Sequence, residues 1–199
     1  MTDDRSDAQI IADSLARPRE FASIFDRHFE AVYRYLARRL GADLGQELSA
    51  QTFEQALRSR SRFDVTQASA RPWLLGIATN LARRHHRAEN RRLLAYPRLD
   101  RRPTTPDHAP GVDHRVDAAS MLPALRAALA GVPPGERDVL LLLAWSDLTY
   151  EELSSALGVP VGTVRSRLSR GRQRLRERLA RSGQYLDERS RTELVHADG

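Results

Sequence analysis

Nineteen residues near the middle of the chain, "YPRLDRRPTTPDHAPGVDH" at 96–114, interrupt an otherwise continuous helical pattern. Four prolines and a glycine leave no run that can sustain helical hydrogen bonding, and the many charges leave little to bury. The stretch predicts a flexible tether, taken as residues 97–119. On its N-terminal side apolar residues recur at threes and fours. Phe21, Ile24, Phe25, His28, Val32, Leu36 and Leu40 keep that spacing, and Leu44, Leu48, Phe53, Ala56 and Leu57 continue it after Gly41. A third helical stretch runs from about Pro72 to Leu94. Helical spacing resumes near Met121 and breaks at "GVPPGER", where Gly131 suits a helix end and Pro134 a first turn. No segment alternates with period two for long enough to make a strand. The expected fold is all-α: two small helical domains, 18–96 and 120–181, joined by the tether. The ends, 1–17 and 182–199, are expected to be disordered, the polar tail being too short for a further domain.

The basic residues are all arginine: the chain has 32 Lys+Arg positions, none of them lysine, and a net charge of +6. A planar guanidinium suits phosphates and guanine edges, although a GC-rich genome accounts for missing lysine better than function does. The placement of the charge is more informative than its sum. Residues 120–160 are net −3, whereas 161–181 carry eight arginines against one glutamate, net +7. Such segregation points to a polyanion engaged by particular segments. The longest apolar run, Val139 to Trp145, is far too short to cross a membrane. The acidic N-terminus lacks the pattern of a signal peptide, and there is no cysteine. A cytoplasmic protein without disulfides or thiolate metal sites is expected. His85 and His86 are adjacent and point about 100° apart on a helix, so neither a metal nor a cofactor is expected.

"LTYEELSSALGVPVGTVRSRLSRGRQRL", 148–175, has helix–turn–helix spacing. Thr149 followed by Glu152 forms a capping box, Leu153, Ala156 and Leu157 make an apolar face, and Gly158 permits the turn. On the second helix Val164, Leu168, Gly171, Leu175 and Leu179 share one arc. Gly162, Ser166, Ser169 and Gln173 lie opposite, flanked by Arg165 and Arg170. Small residues let a helix approach a groove floor, and the arginines beside them reach bases and phosphates. An ordinary surface helix would intersperse acids at i, i+4, and here only Glu177 does so.

"RPWLLGIATNLARRHHRAENRR", 71–92, repeats the logic. Leu74, Ile77, Leu81 and Ala88 share a face, while Asn80, Arg83, Arg84, Arg87 and Arg91 cluster on another. Asn80 is an amide able to read a base edge among phosphate-binding guanidiniums. Trp73 could stack on a base, but packing into the core is the commoner use of a tryptophan.

Together these segments resemble the extracytoplasmic-function (ECF) sigma factors of the bacterial sigma factor superfamily. "TYEELSSALGVPVGTVRSRLSRGRQRLRERL" is similar to their region four, and "LAGVPPGERDVLLLL" to its preceding helices. The stretch 71–92 resembles region two, with Trp73-Leu74-x-x-Ile77-x-x-Asn80 opening the promoter-reading helix. The resemblance spans about residues 20 to 180. It implies a protein that binds RNA polymerase core, through the beta-prime clamp and the beta flap, and directs promoter recognition and opening. Promoter DNA is then a partner and an anti-sigma factor a further candidate. The resemblance implies that Thr163, Arg165, Ser166, Ser169 and Arg170 meet the minus-thirty-five element. It places Asn80 near a captured, flipped base of the minus-ten element, with Arg83, Arg84, Arg87 and Arg91 along the strand and Phe63 to Arg71 supplying the loop that shapes the pocket. The family's polymerase-binding helix usually reads Asp-Leu-x-Gln-Glu-x-Phe, against Glu47-Leu48-Ser49-Ala50-Gln51-Thr52-Phe53 here. Glu47, Leu48, Gln51, Thr52 and Phe53 are accordingly expected at the polymerase, with Leu48 and Phe53 as apolar anchors.

A helix–turn–helix regulator that is not a sigma subunit is the main alternative. Residues 1–96, however, lack the strands and acidic pocket of a receiver domain. An enzyme acting on nucleic acid would need clustered carboxylates or a nucleophile–base pair, and the acids are scattered. A sigma-binding antagonist would have little use for two basic helices.

Overall fold

The structure, a computed structural model, describes residues 5–95 and 116–196, with side chains described over 5–92 and 122–181. The helices are α1 (Asp7–Ala16), α2 (Ala22–Leu40), α3 (Ala42–Ser59), α4 (Arg71–Ala95), α5 (Val116–Ala130), α6 (Pro134–Ser146), α7 (Tyr150–Leu157) and α8 (Val161–His196). Single 3-10 turns precede α2 and follow α3, and no strand occurs among the described residues.

Two departures concern the chain ends. Residues 7–16 form a helix where disorder is expected. Ser6 Oγ accepts the Gln9 N–H at 3.2 Å and Gln9 returns a bond to the Ser6 N–H at 2.9 Å, a complete capping box. Ile10 and Ile11 are fully buried, so the helix has a core of its own to join. A short apolar face beside several acids is easily passed over, but two adjacent isoleucines behind a capping box suffice. At the other end α8 continues to His196, past the expected boundary at 181. Residues 182–196 contain no proline, and Gly183 alone among them is a strong helix breaker. The tether expected at 97–119 lies outside the described residues up to 115, and α5 begins at Val116.

The chain packs as two compact units, Met1–Ala109 with Leu142–Val161, and Pro110–Leu141 with Gly162–Gly199. In the first, Ile24, Val32, Tyr35 and Leu36 of α2 meet Leu48, Phe53 and Ala56 of α3 and Leu74, Leu75, Ala78 and Ala82 of α4 in a dry core. α3 approaches α2 so closely that a Cβ on Gly45 would lie 2.7 Å from Ala37 Cα, which excludes any larger residue. Tyr35 Oη is 2.9 Å from Thr79 Oγ1 and accepts Arg39 Nη1 at 2.7 Å. That buried link joins α4 to α2. In the second unit Ala128, Val132, Val139, Leu141, Val164 and Leu168 are buried.

Candidate nucleic-acid interface

α4 is amphipathic in the sense its sequence predicts. Leu74, Leu75, Ala78 and Ala82 are buried and Ile77 nearly so, while Leu81 and Ala88 are half-buried. Asn80, Arg84, Arg87 and Arg91 are exposed at spacings of four, three and four, a single stripe along the helix. Arg83 is half-buried beside it. The acid nearest the stripe, Glu89, is paired with Arg92 at 3.2 Å. Thr79, fully buried and bonded to Tyr35, lies on the inner face next to the exposed Asn80.

The loop before α4 rises between two buried ends, Phe63 and Ala70. Phe63 packs on the half-buried Trp73, ring centres 5.2 Å apart, so Trp73 lies partly within the fold rather than free on the surface. Asp64 Oδ1 accepts the Thr66 N–H at 3.0 Å and its hydroxyl at 2.7 Å, and Asp64 O accepts the Gln67 N–H at 3.0 Å. The two Thr66 bonds, with the Gln67 side-chain amide 3.3 Å from Asp64 Oδ2, hold the Asp64 carboxyl below its ordinary value. Val65, 60% exposed, stands at the tip.

The helix–turn–helix motif has the local chemistry its sequence predicts. Thr149 Oγ1 accepts the Glu152 N–H at 3.2 Å and Glu152 returns a bond to the Thr149 N–H at 2.8 Å. Gly158 takes the left-handed conformation, φ 61°, which lets the chain leave α7 sharply. Along α8, Val164, Leu168 and Gly171 are buried and Leu175 and Leu179 half-buried. Gly162, Arg165, Ser169, Arg170 and Gln173 are exposed, with Thr163 and Ser166 half-buried between them. The Ser166 hydroxyl donates to Thr163 O at 3.1 Å. Glu177, the one acid in the run, accepts from Gln173 at 3.0 Å. The stripe is therefore one of small polar groups edged by guanidiniums, suited to a groove with anionic walls.

The polymerase-facing residues need correction. Leu48 (4% exposed), Phe53 (5%) and Thr52 (0%) lie inside the fold, so they cannot anchor a partner. Phe53 packs edge-on against Phe25 at 4.9 Å. The Thr52 hydroxyl donates to Leu48 O at 2.7 Å. Of the five residues, Glu47 is exposed and Gln51 half-buried, the two linked at 3.1 Å. Helical phase explains the error: the residues at 48, 52 and 53 form the inner stripe of α3, and its outer stripe is Asp43, Glu47, Ala50, Gln51 and Glu54. Beside it Phe25, expected in the core, is 40% exposed.

One buried polar cluster was not legible in the sequence. Asp7, 6% exposed, takes four donors on one carboxylate: Arg27 Nη1 at 3.0 Å, His28 Nε2 at 2.7 Å, Ser69 Oγ at 3.3 Å and the Ala70 N–H at 2.8 Å. Burial pushes this carboxyl up, but the His28 and Ala70 bonds and the neighbouring cations outweigh it and hold it well below the usual carboxylate range. The Ser6-Asp7-Ala8-Gln9 capping box marks the helix that carries Asp7, but no local pattern marks its partners.

Two basic helices with buried inner faces, one of them in a helix–turn–helix, define the class: an all-α protein with two separate surfaces suited to DNA. Residues 24–92 match the family described as Sigma-70 region 2, and 122–175 that described as Sigma-70, region 4. The ECF RNA polymerase sigma factor SigC of Mycobacterium tuberculosis (strain CDC 1551 / Oshkosh) is 31% identical over 144 residues, 72% of this chain and 75% of SigC. The chain belongs to the ECF RNA polymerase sigma factors. SigE of Mycolicibacterium smegmatis, of that same family, is 36% identical over 161 residues, 78% of this chain but only 60% of SigE. The fold is that of CnrH, solved with the cytosolic domain of CnrY: TM-score 0.60 at 23% identity, covering 88% of this chain and 98% of that one. A regulator outside the sigma family gains no support from these relatives. No described helix is long and apolar enough to cross a membrane.

Proposed function

We propose that the chain directs core RNA polymerase to a set of promoters and opens them, acting by binding rather than by chemistry. In this reading α8 lies in the major groove of the minus-thirty-five element, with Thr163, Arg165, Ser166, Ser169 and Arg170 toward it. α4 and the loop 63–71 read the minus-ten element as it melts. Asn80 meets a flipped base, and Arg83, Arg84, Arg87 and Arg91 follow the strand. Extruding a base costs a few kcal/mol, which a pocket and phosphate contacts offset. The outer stripe of α3, with Glu47 and Gln51, faces the beta-prime clamp, and the region around α8 the beta flap. One observation carries the reading: the stripe Asn80, Arg84, Arg87 and Arg91 is exposed at helical spacing, while the adjacent Thr79 is locked inward.

Reconstitution with core polymerase, followed by sequencing of transcript starts across a genomic library, tests it. Starts should fall at a common distance from a shared pair of sequence elements. Core polymerase that gains no new start sites on adding the protein would overturn the reading.

A further inference from the structure

The loop 63–70 is tied at both ends to one helix, and that helix is α1. At the C-terminal end Asp7, in the first turn of α1, accepts the Ala70 N–H at 2.8 Å and the Ser69 hydroxyl at 3.3 Å. At the N-terminal side Arg60, in the turn after α3, donates its Nε to Ser14 O in the last turn of α1, at 3.2 Å. Between these ties the loop is exposed from Asp64 to Ala68 apart from the half-buried Gln67, and is closed internally only by the Asp64 turn.

The helix doing the tying is itself fixed. Ile10 and Ile11 are buried, and Arg5 bridges Asp13 at 2.7 Å and Glu20 at 2.8 Å. Arg27 of α2 reaches both Arg5 O at 2.8 Å and Asp7. Mere attachment of α1 would need no buried carboxylate. Desolvating a charge is expensive, and apolar packing would hold the helix at least as well. What a carboxylate with four donors supplies is direction: it accepts Ala70, Ser69, Arg27 and His28 in one arrangement, and Ala70 is the residue from which α4 starts.

We propose that α1 is a brace for the base-reading loop and that Asp7 is the positioning residue through which it acts on minus-ten preference. The proposal rests on the reading of loop 63–71 as the wall of the base pocket. Asp7 touches no DNA in this arrangement. It sets where the loop and the first turn of α4 stand relative to the stripe that begins at Asn80.

The test uses holoenzymes assembled from core polymerase and the full chain, on a promoter library randomised at both elements, scoring open complexes at fixed salt. Variants are Asp7→Ala, Asp7→Asn, Arg60→Ala, and the loop substitutions Val65→Ala and Gln67→Ala. A wrong base in a recognised site ordinarily costs about 1–3 kcal/mol, roughly five- to hundredfold. Asp7→Ala should reduce minus-ten discrimination by about fivefold or more, with minus-thirty-five preference and core affinity unchanged. Asp7→Asn, which keeps an acceptor for Ala70, should lie between it and the native chain. Arg60→Ala removes the other tie without disturbing a buried charge, and should shift preference at the same positions. It carries the test alone if Asp7→Ala does not fold. If Asp7 and Arg60 variants melt earlier but select the same minus-ten sequence as the native chain, the brace is overturned and α1 is merely structural. If Val65→Ala and Gln67→Ala also leave the preference untouched, the pocket reading falls with it. If those two alter it and the tie variants do not, only the brace falls.

Discussion

Arg170 of α8 holds its Nε 3.5 Å from Glu136 Oε1 of α6, at the exposed edge of the recognition stripe. Glu136 is 8% exposed, and its second oxygen lies 3.4 Å from Arg174 Nε without the alignment of a hydrogen bond. One nearly buried acid thus lies within ion-pair distance of two guanidiniums on the same side of the helix. A base-reading arginine contributes about 1–3 kcal/mol of discrimination. Arg165→Ala and Arg170→Ala should therefore relax preference within the minus-thirty-five element. Arg178 differs: its Nη1 would lie 2.0 Å from a Cβ on Gly131, so the guanidinium covers the C-terminal end of α5. Arg178→Ala should lower stability by about 0.3–1 kcal/mol, the worth of a cation at a helix end, and leave sequence preference alone. Holoenzyme selection on a promoter library at fixed salt, with a thermal melt alongside, separates the two. A new preferred sequence from Arg178→Ala, with none from the other pair, would mean that the reading face of α8 is drawn on the wrong side.

Core affinity should follow the outer stripe of α3. Glu47→Arg, and Glu47→Arg combined with Gln51→Ala, should weaken binding to core polymerase without altering the melting curve. Leu48→Ala should instead cost about 2–5 kcal/mol of folding free energy, and Phe53→Ala about 3–5, since each leaves a cavity. Competition for core against a labelled second sigma factor reads affinity, and urea unfolding reads stability. Full core affinity in Glu47→Arg would move the docking face off this helix.

The basic faces were legible because one residue type repeats at helical spacing. Asn80, Arg84, Arg87 and Arg91 could be placed from periodicity alone, as could Arg165, Ser169 and Arg170, and all are exposed as that phase requires. The capping box at Thr149 and the turn at Gly158 were legible because each is a local device of a few residues. α3 was misread because a motif names residues without saying which of them pack inward. Leu48 and Phe53 recur for the core, and their burial depends on α2, which lies outside the motif. Asp7 was illegible for a similar reason. Its partners stand at 27, 28, 69 and 70, and no local pattern joins a carboxylate to an N–H 63 positions away.

Asp7 also predicts an acid-dependent loss of stability. Its carboxyl is held below the usual range in the folded chain, whereas an unfolded aspartate titrates near about 3.9. The unfolded chain therefore takes up this proton first as pH falls. The stabilisation is complete above about pH 5 and is lost progressively as pH drops toward the folded value. Asp7→Asn cannot titrate. The stability gap between the native chain and Asp7→Asn should be wide at about pH 5 and narrow toward about pH 3, measured by urea unfolding at each pH. A gap that stays constant over that range would mean that the folded chain does not favour the ionised form of Asp7.

Asn80 offers the sharpest separation of the two proposed promoter contacts. It lies on α4, in the part of the chain matched to region 2, whereas the stripe proposed for the minus-thirty-five element lies on α8 in the part matched to region 4. Asn80→Ala should then impair opening while closed-complex binding through α8 stays intact. A side chain that reads a base edge is worth about 1–3 kcal/mol, so opening should fall between roughly fivefold and a hundredfold. Permanganate footprinting of unpaired thymines reports the bubble, and footprinting of the upstream element reports the closed complex. Tyr35→Phe serves as the contrast. It removes the 2.9 Å bond to Thr79 and the 2.7 Å bond from Arg39 behind the same helix, and so should cost about 1 kcal/mol of stability. It leaves the Asn80 amide in place and should keep most of the opening. Asn80→Ala with an undiminished bubble on a linear promoter would remove this residue from the base pocket, and the reading role would pass to the loop alone.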